Sequence, residues 1–110
     1  MMRAIRRGDI YWCALDKSRP VVILTRDALI AHLHSVTVAP LTTRVRGIAS
    51  QVVLETFDGV PERSAVSLDN IQTVYREDLG EFITSLSTFR LKELERAALF
   101  ALELDRFGEE

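Results

Sequence analysis

The amino-acid sequence predicts a mainly β domain closed by one C-terminal helix: a compact barrel or strongly curved sheet with the helix packed on it. Three observations lead there. Short runs rich in β-branched and aromatic residues recur between turn signals as far as Leu86. From Ser87 the apolar spacing becomes helical. The 110 residues, 47% hydrophobic, run from 1 to 110 as a single domain with no linker, repeat or low-complexity tract, enough for one core without staples.

The elements follow in order. Residues 8–15, after a glycine and rich in β formers, read as the first strand, and Asp16-Lys17-Ser18 as a short polar turn. Arg19-Pro20 opens a second strand over 21–24, whose unbroken apolar run signals burial on both faces. Thr25 or Asp27 is placed to cap a helical turn over 28–31. Residues 35–39 alternate as a third strand, and a polar, basic segment follows from Pro40 to Gly47. A fourth strand covers 51–56, and Asp58-Gly59 with Pro61 marks a turn. Residues 64–74 carry two strands joined by a bend or bulge around Asp69-Asn70. A polar turn, 76–79, leads to a last strand over 81–86. Ser87 is the expected N-cap of the helix, with Leu91, Leu94, Ala98, Ala101 and Leu102 on one side and Glu93 able to pair with Arg96. Its further apolar residues, Phe89 and Phe100 among them, exceed one stripe and suit packing on the barrel or on a twofold partner.

Composition excludes several classes. One cysteine, Cys13, rules out an internal disulfide framework, and with only two histidines a zinc site of the usual Cys/His type is nearly excluded. The longest apolar runs fall far short of the ~20 residues a membrane span needs. The basic N-terminus lacks the apolar stretch of a signal peptide, so a soluble cytoplasmic protein is expected. Net charge is −2, divided as +5 over residues 1–50 and −7 over 51–110. That polarity fits a basic face for a polyanion; charges that intermix in space are the equal alternative.

The familiar chemical signatures are missing: there is no phosphate-binding glycine loop, no Cys-x-x-Cys and no nucleophile elbow. His32 and His34 lack the accompanying ligands of a metal site and read as surface histidines, and Cys13 reads as a small core residue. Two polar groups at strand edges remain: Arg19, directly before Pro20, and Thr42-Thr43-Arg44, directly after the third strand. By pattern alone, the simpler reading makes Arg19 a solvated turn residue and Thr42 a hydroxyl bonded to backbone.

An ordered set of segments then resembles the MazF/PemK family, the ribosome-independent endoribonuclease toxins of bacterial type II toxin–antitoxin modules. The segments are Arg7-Gly8-Asp9-Ile10-Tyr11-Trp12, Arg19-Pro20-Val21-Val22-Ile23-Leu24-Thr25, Val38-Ala39-Pro40-Leu41-Thr42-Thr43, Ser64-Ala65-Val66 and Asp69-Asn70-Ile71-Gln72-Thr73-Val74. Residues 15–26 look most like mycobacterial-type members with a short first loop. The resemblance implies an SH3-like, CcdB/PemK-type barrel, a homodimer, a MazE-like antitoxin as partner and no metal or cofactor. It implies cleavage of single-stranded RNA to 2′,3′-cyclic phosphate and 5′-hydroxyl ends. The family's catalytic arginine falls on Arg19 and its catalytic threonine on Thr42. A guanidinium suits the charge that builds on the phosphoryl oxygens, and a hydroxyl can hold the same phosphate or the attacking 2′-oxygen. Arginine keeps its proton to a pKa above ~12, so orientation and charge stabilisation are the expected roles.

Under the same resemblance Lys17, Thr43, Arg44 and Arg46 would contact the RNA backbone, while Asn70 and Gln72 would read base edges. Tyr11, Trp12 and Tyr75 are stacking candidates, with Trp12 expected in the core. One departure stands out. Many relatives have a longer, glycine-containing first loop, often with a glutamate; here only three residues separate Leu15 from Arg19. That puts an acidic contribution in question and leaves the groove open to structured RNA such as tRNA or ribosomal RNA. The main alternative is a CcdB-like, non-catalytic gyrase poison, which depends on an aromatic-and-apolar C-terminal tail; the ending Asp105-Arg106-Phe107-Gly108-Glu109-Glu110 argues against it. An inactive relative that titrates an antitoxin is the third reading.

Overall fold

The computed structural model describes residues 3–104; the C-terminal hexapeptide weighed above lies outside the described residues. Strands β1 (Asp9–Ala14), β2 (Ser18–Ile23), β3 (Ser35–Thr42), β4 (Gln51–Leu54), β5 (Ser64–Ser67), β6 (Gln72–Tyr75) and β7 (Leu79–Ser85) form one antiparallel sheet. Helix α1 (Asp27–Ile30) follows β2, and α2 (Thr88–Ala101) follows β7. The strand order is β4-β5-β3-β2-β1-β7, with β6 added to β3. This is the mainly β class with a C-terminal helix that the sequence predicts.

Strand β3 turns the corner of the sheet. Its first half pairs with β6 from Ser35–Tyr75 to Val38–Gln72, and its middle with β2 from Ile23–Val38 to Val21–Pro40. Its last residues, Leu41 and Thr42, pair with Val66 and Ala65 of β5, on the edge away from β2. Meanwhile the start of β2 stays on β1, through Cys13–Arg19 and Ala14–Ser18. The β2–β3 ladder ends at the Val21–Pro40 pair, just before Pro20, which has no N–H to continue it.

Burial follows the alternation. Val22 joins Ile10, Ala39, Leu41, Val52, Leu54 and Leu94 in a core under α2, whereas Val21 and Ile23 join Tyr11, Cys13, Val36 and Val38 in a second core. The continuous apolar run of β2 is thus buried on both faces, as expected. Asp9 is a buried carboxylate with full hydrogen bonding, which offsets the cost of removing it from water. It accepts from Ser85 Oγ at 2.6 Å, Arg6 N at 3.0 Å and Tyr11 Oη at 3.3 Å. Gly8 has φ +90°, a backbone conformation that favours glycine, and a Cβ there would have to displace the end of the Leu91 side chain on α2.

Several local expectations are corrected. Neither Thr25 nor Asp27 caps α1: Thr25 Oγ1 accepts from Thr37 N and Asp27 Oδ1 from Arg7 N, so both side chains serve tertiary contacts. Strand β4 stops at Leu54 because Glu55 and Asp58 close a capping box on a single 3-10 turn, Thr56–Asp58. Strand β3 runs on through Pro40 to Thr42, where β5 supplies a new partner. The bend at Asp69-Asn70 is a 3-10 turn, Leu68–Asn70. Ser87 does cap α2, accepting from Arg90 N. Glu93, however, pairs with Arg90 at 2.7 Å rather than with Arg96. Only Leu94 and Ala97 of α2 are fully buried, while Phe89, Leu99 and Phe100 lie exposed.

Candidate active site

A concavity lies where the β2–β3 ladder ends. Continuing the β2–β3 register two residues past Val21–Pro40 sets Arg19 opposite Thr42, on the same faces of their strands as that pair. No ladder pair forms there, because Pro20, which would come opposite Leu41, has no N–H to donate. Both residues line a hollow of about 590 Å³, within the range of pockets that enclose a small-molecule ligand.

Four further residues singled out from the sequence line the same hollow: Arg44, Arg46, Asn70 and Gln72. Lys17 and Thr43 do not; they line a smaller hollow that shares Arg19 and Thr42 with the first. Tyr11 is corrected as a stacking candidate, since it is buried, donates to Asp9, and has its hydroxyl pushed above the usual tyrosine range chiefly by that burial. Tyr75 is exposed, beside Leu33, His34 and Arg76, and lines neither hollow. Trp12 is half-buried rather than core, and borders the smaller hollow. Cys13 is buried, and burial, with Asp78 nearby, pushes its thiol up, as suits an inert core residue.

Arg19 is held by Asp16. Its Nε donates to Asp16 Oδ1 at 3.1 Å and its Nη2 to Oδ2 at 3.3 Å. The Arg19 hydrogen bond is the chief reason the Asp16 carboxyl lies below its usual range. The turn between β1 and β2 is tight, with Leu15 N donating to Lys17 O, and it directs this carboxylate at a residue three positions on. The short loop therefore does carry an acidic side chain to the site. Nη1 and the second Nη2 hydrogen stay free for a ligand.

The basic loop after β3 is shaped by its own polar groups. Thr42 Oγ1 accepts from Arg44 N at 3.1 Å, the local bond anticipated from sequence, and its hydroxyl hydrogen remains available to donate. Gln51 spans the loop base: Oε1 accepts from Arg46 N at 2.8 Å and Nε2 donates to Arg44 O at 3.3 Å. Among the described residues the Arg44 and Arg46 guanidiniums form no ion pair. Across the hollow, Ser50 Oγ donates to Asp69 Oδ2 at 2.5 Å and Asn70 Nδ2 to Ser67 Oγ at 2.7 Å, fixing the 3-10 turn that presents Asn70.

Gln51, Ser50 and Ser67 were not readable as site residues, because their roles depend on β4 and β5 packing beneath the loop. Asp16 carried one local signal, its spacing from Arg19 across a turn. The basic half of the sequence divides in space. Arg3, Arg6 and Arg7 pair with Asp9, Asp27 and Glu95, away from the hollow, while Arg19, Arg44 and Arg46 converge on it.

Residues 6–102 match the family described as PemK-like, MazF-like toxin of type II toxin–antitoxin systems. Endoribonuclease MazF3 of Mycobacterium tuberculosis is 45% identical over 96 residues, covering 87% of this chain and 93% of that protein. The structure of Mycobacterium tuberculosis toxin MazF-mt6 superposes with a TM-score of 0.82 at 43% identity, covering 86% of this chain and 96% of that one. A mycobacterial endoribonuclease solved in complex with its cognate antitoxin superposes with a TM-score of 0.85 at 28% identity, covering 92% and 97%.

Proposed function

Because this chain belongs to the PemK-like, MazF-like toxin family of type II toxin–antitoxin systems, we propose that it is a sequence-specific, metal-independent endoribonuclease that cuts single-stranded RNA and so arrests translation and growth. The observation that carries this reading is the meeting of Arg19 and Thr42 in one hollow just beyond the end of the β2–β3 ladder, with Arg44 and Arg46 beside them.

The reaction begins when a ribose 2′-hydroxyl attacks the adjacent phosphorus. An O2′–P bond forms, the P–O5′ bond breaks, the 2′ proton passes to solvent, and the departing O5′ takes one up. The products are a 2′,3′-cyclic phosphate and a 5′-hydroxyl. Negative charge gathers on the two non-bridging oxygens during attack. The free edge of Arg19, with Asp16 gripping the other, is a fixed pair of donors for those oxygens. Thr42 donates to the phosphate or holds the 2′-oxygen, its own lone pair engaged by Arg44 N. Arg44 and Arg46 bind flanking phosphates in the hollow, Lys17 and Thr43 bind them on the other side of the pair, and Asn70 and Gln72 offer amides to base edges.

The same reading makes the partner a MazE-like antitoxin, as for the mycobacterial relative solved with its cognate antitoxin, and the working form a cytoplasmic homodimer. The exposed apolar residues of α2 supply surface for such contacts. Messenger RNA is the expected substrate, with tRNA or ribosomal RNA admitted by the short first loop.

The test is incubation of the purified protein with a long RNA in excess EDTA, beside Arg19→Ala and Thr42→Ala. The expected result is cutting at defined sites with cyclic-phosphate ends, strongly reduced in both variants. Intact RNA together with inhibited gyrase would replace this reading with a gyrase-poisoning toxin.

A further inference from the structure

The Arg19–Thr42 pair has a second hollow on its far side, of about 230 Å³. That is below the ~300–1,000 Å³ of pockets that take a drug-sized ligand, and suits one ring system rather than a stretch of chain. Its walls are unlike those of the larger hollow. Trp12 lies between the buried Tyr11 and Cys13 on β1, so alternation turns its indole away from their core and along the cross-strand neighbour Pro20. Pro61 and Leu41 add apolar surface. Ser18, Thr43 and Ser64 also line it, with Lys17 and the exposed Glu62, and among the described residues neither of these last two side chains has a hydrogen-bond or ion-pair partner.

A free carboxylate is an odd lining for a site that takes a polyanion, since it repels phosphate. It is favourable only against a group that presents donors. Guanine carries N1–H and N2–H side by side on its Watson–Crick edge, matching the two oxygens of a carboxylate. Adenine, cytosine and uracil each set an acceptor beside their donor on that edge, which a carboxylate repels. An indole face stacks on any base, and a lysine suits the attached phosphate.

We propose that this hollow is a base-binding subsite, which seats a guanine next to the scissile phosphate, stacked on Trp12 and held by Glu62. The larger hollow then takes the chain on the other side of the cut. The inference rests on the endoribonuclease reading and adds one position of its recognition sequence.

The experiment maps 5′-hydroxyl ends on a long RNA cut by the wild type, Glu62→Gln and Trp12→Ala, then measures oligonucleotides carrying guanosine or inosine at the position beside the cut. Inosine lacks the N2 amino group. The wild type is expected to select guanine at one nucleotide flanking the cut and to lose about tenfold in kcat/KM on inosine. Glu62→Gln is expected to relax that position alone and to treat guanosine and inosine alike. Trp12→Ala is expected to raise KM for both. Glu62 is exposed, so its variant should fold normally. Wild-type cutting with no flanking guanine, or an unchanged preference in Glu62→Gln, would overturn the subsite while leaving the nuclease standing. A wild type that cuts no RNA would remove both.

Discussion

Two arginines in this molecule grip a carboxylate with the same two-pronged geometry, and they serve opposite ends. Arg90, on α2, donates through Nε and Nη2 to Asp58 at 3.0 Å each and through Nη1 to Glu93 at 2.7 Å. Arg19 grips Asp16 alone. The side chains of Arg90 and Asp58 are 15% and 10% exposed; those of Arg19 and Asp16 are 27% and 70%. Around Arg90 two carboxylates hold the guanidinium from different sides, and little water reaches the pair. Breaking it would leave a charge stranded in a partly apolar seam between α2 and the turn after β4. At Arg19 water reaches the carboxylate, the Coulomb gain is small, and one edge of the fork is unused. A pair of the first kind fixes a fold; the second can meet a phosphate without unfolding anything.

The largest expected effects break that comparison most directly. Arg19→Ala should lower kcat/KM for RNA cleavage by about 10²–10³, the loss of ~2.7–4 kcal/mol of charge stabilisation, with little change in thermal midpoint. Arg90→Ala should do the reverse, costing about 3 kcal/mol of stability and, at ~4–8 °C per kcal/mol, lowering the midpoint by roughly 12–24 °C. Calorimetry and cleavage assays on both variants decide it; a destabilised Arg19→Ala would erase the distinction.

Acid titration sharpens it. Burial pushes the Asp58 carboxyl up, but its hydrogen bonds from Arg90 and from Glu55 N outweigh that and hold it below the usual aspartate range. A depressed folded pKa means stability that is present above about pH 4 and lost as pH falls through the folded value. Denaturant midpoints measured from pH 6 to pH 2 should fall in that window, and Asp58→Asn should flatten the fall. An Asn variant with the wild-type slope would assign the acid sensitivity elsewhere.

The smallest effect concerns the loop beside Arg19. Gln51→Leu removes both bonds at its base and loosens Arg44 and Arg46 without touching Arg19 or Thr42. KM for RNA should rise roughly fivefold, the worth of about one hydrogen bond, with kcat unchanged. A fall in kcat instead would place Gln51 in the chemistry.

Trp12 and Gln51 show where a linear reading stops. Trp12, flanked by core residues in a β-rich run, invites a core assignment; the cross-strand contact with Pro20 and the edge of a hollow become visible only once β1 is paired. Gln51 opens a strand, and nothing in its neighbours announces a bond to a loop five to seven residues earlier.

What the sequence determined by itself was local: the β-branched alternation, the Ser87 cap, the two-faced apolar run of β2, and the Arg19 and Thr42 positions through an ordered family pattern. These depend on nearest neighbours and on side-chain spacing along one strand or helix, which the chain carries explicitly. Tertiary structure alone decided which charges meet. It sent Arg3, Arg6 and Arg7 to acids far from the site, closed Asp16 on Arg19, and brought Arg19 and Thr42 to the rim of one hollow. Such partnerships follow from strand order, which no single segment encodes.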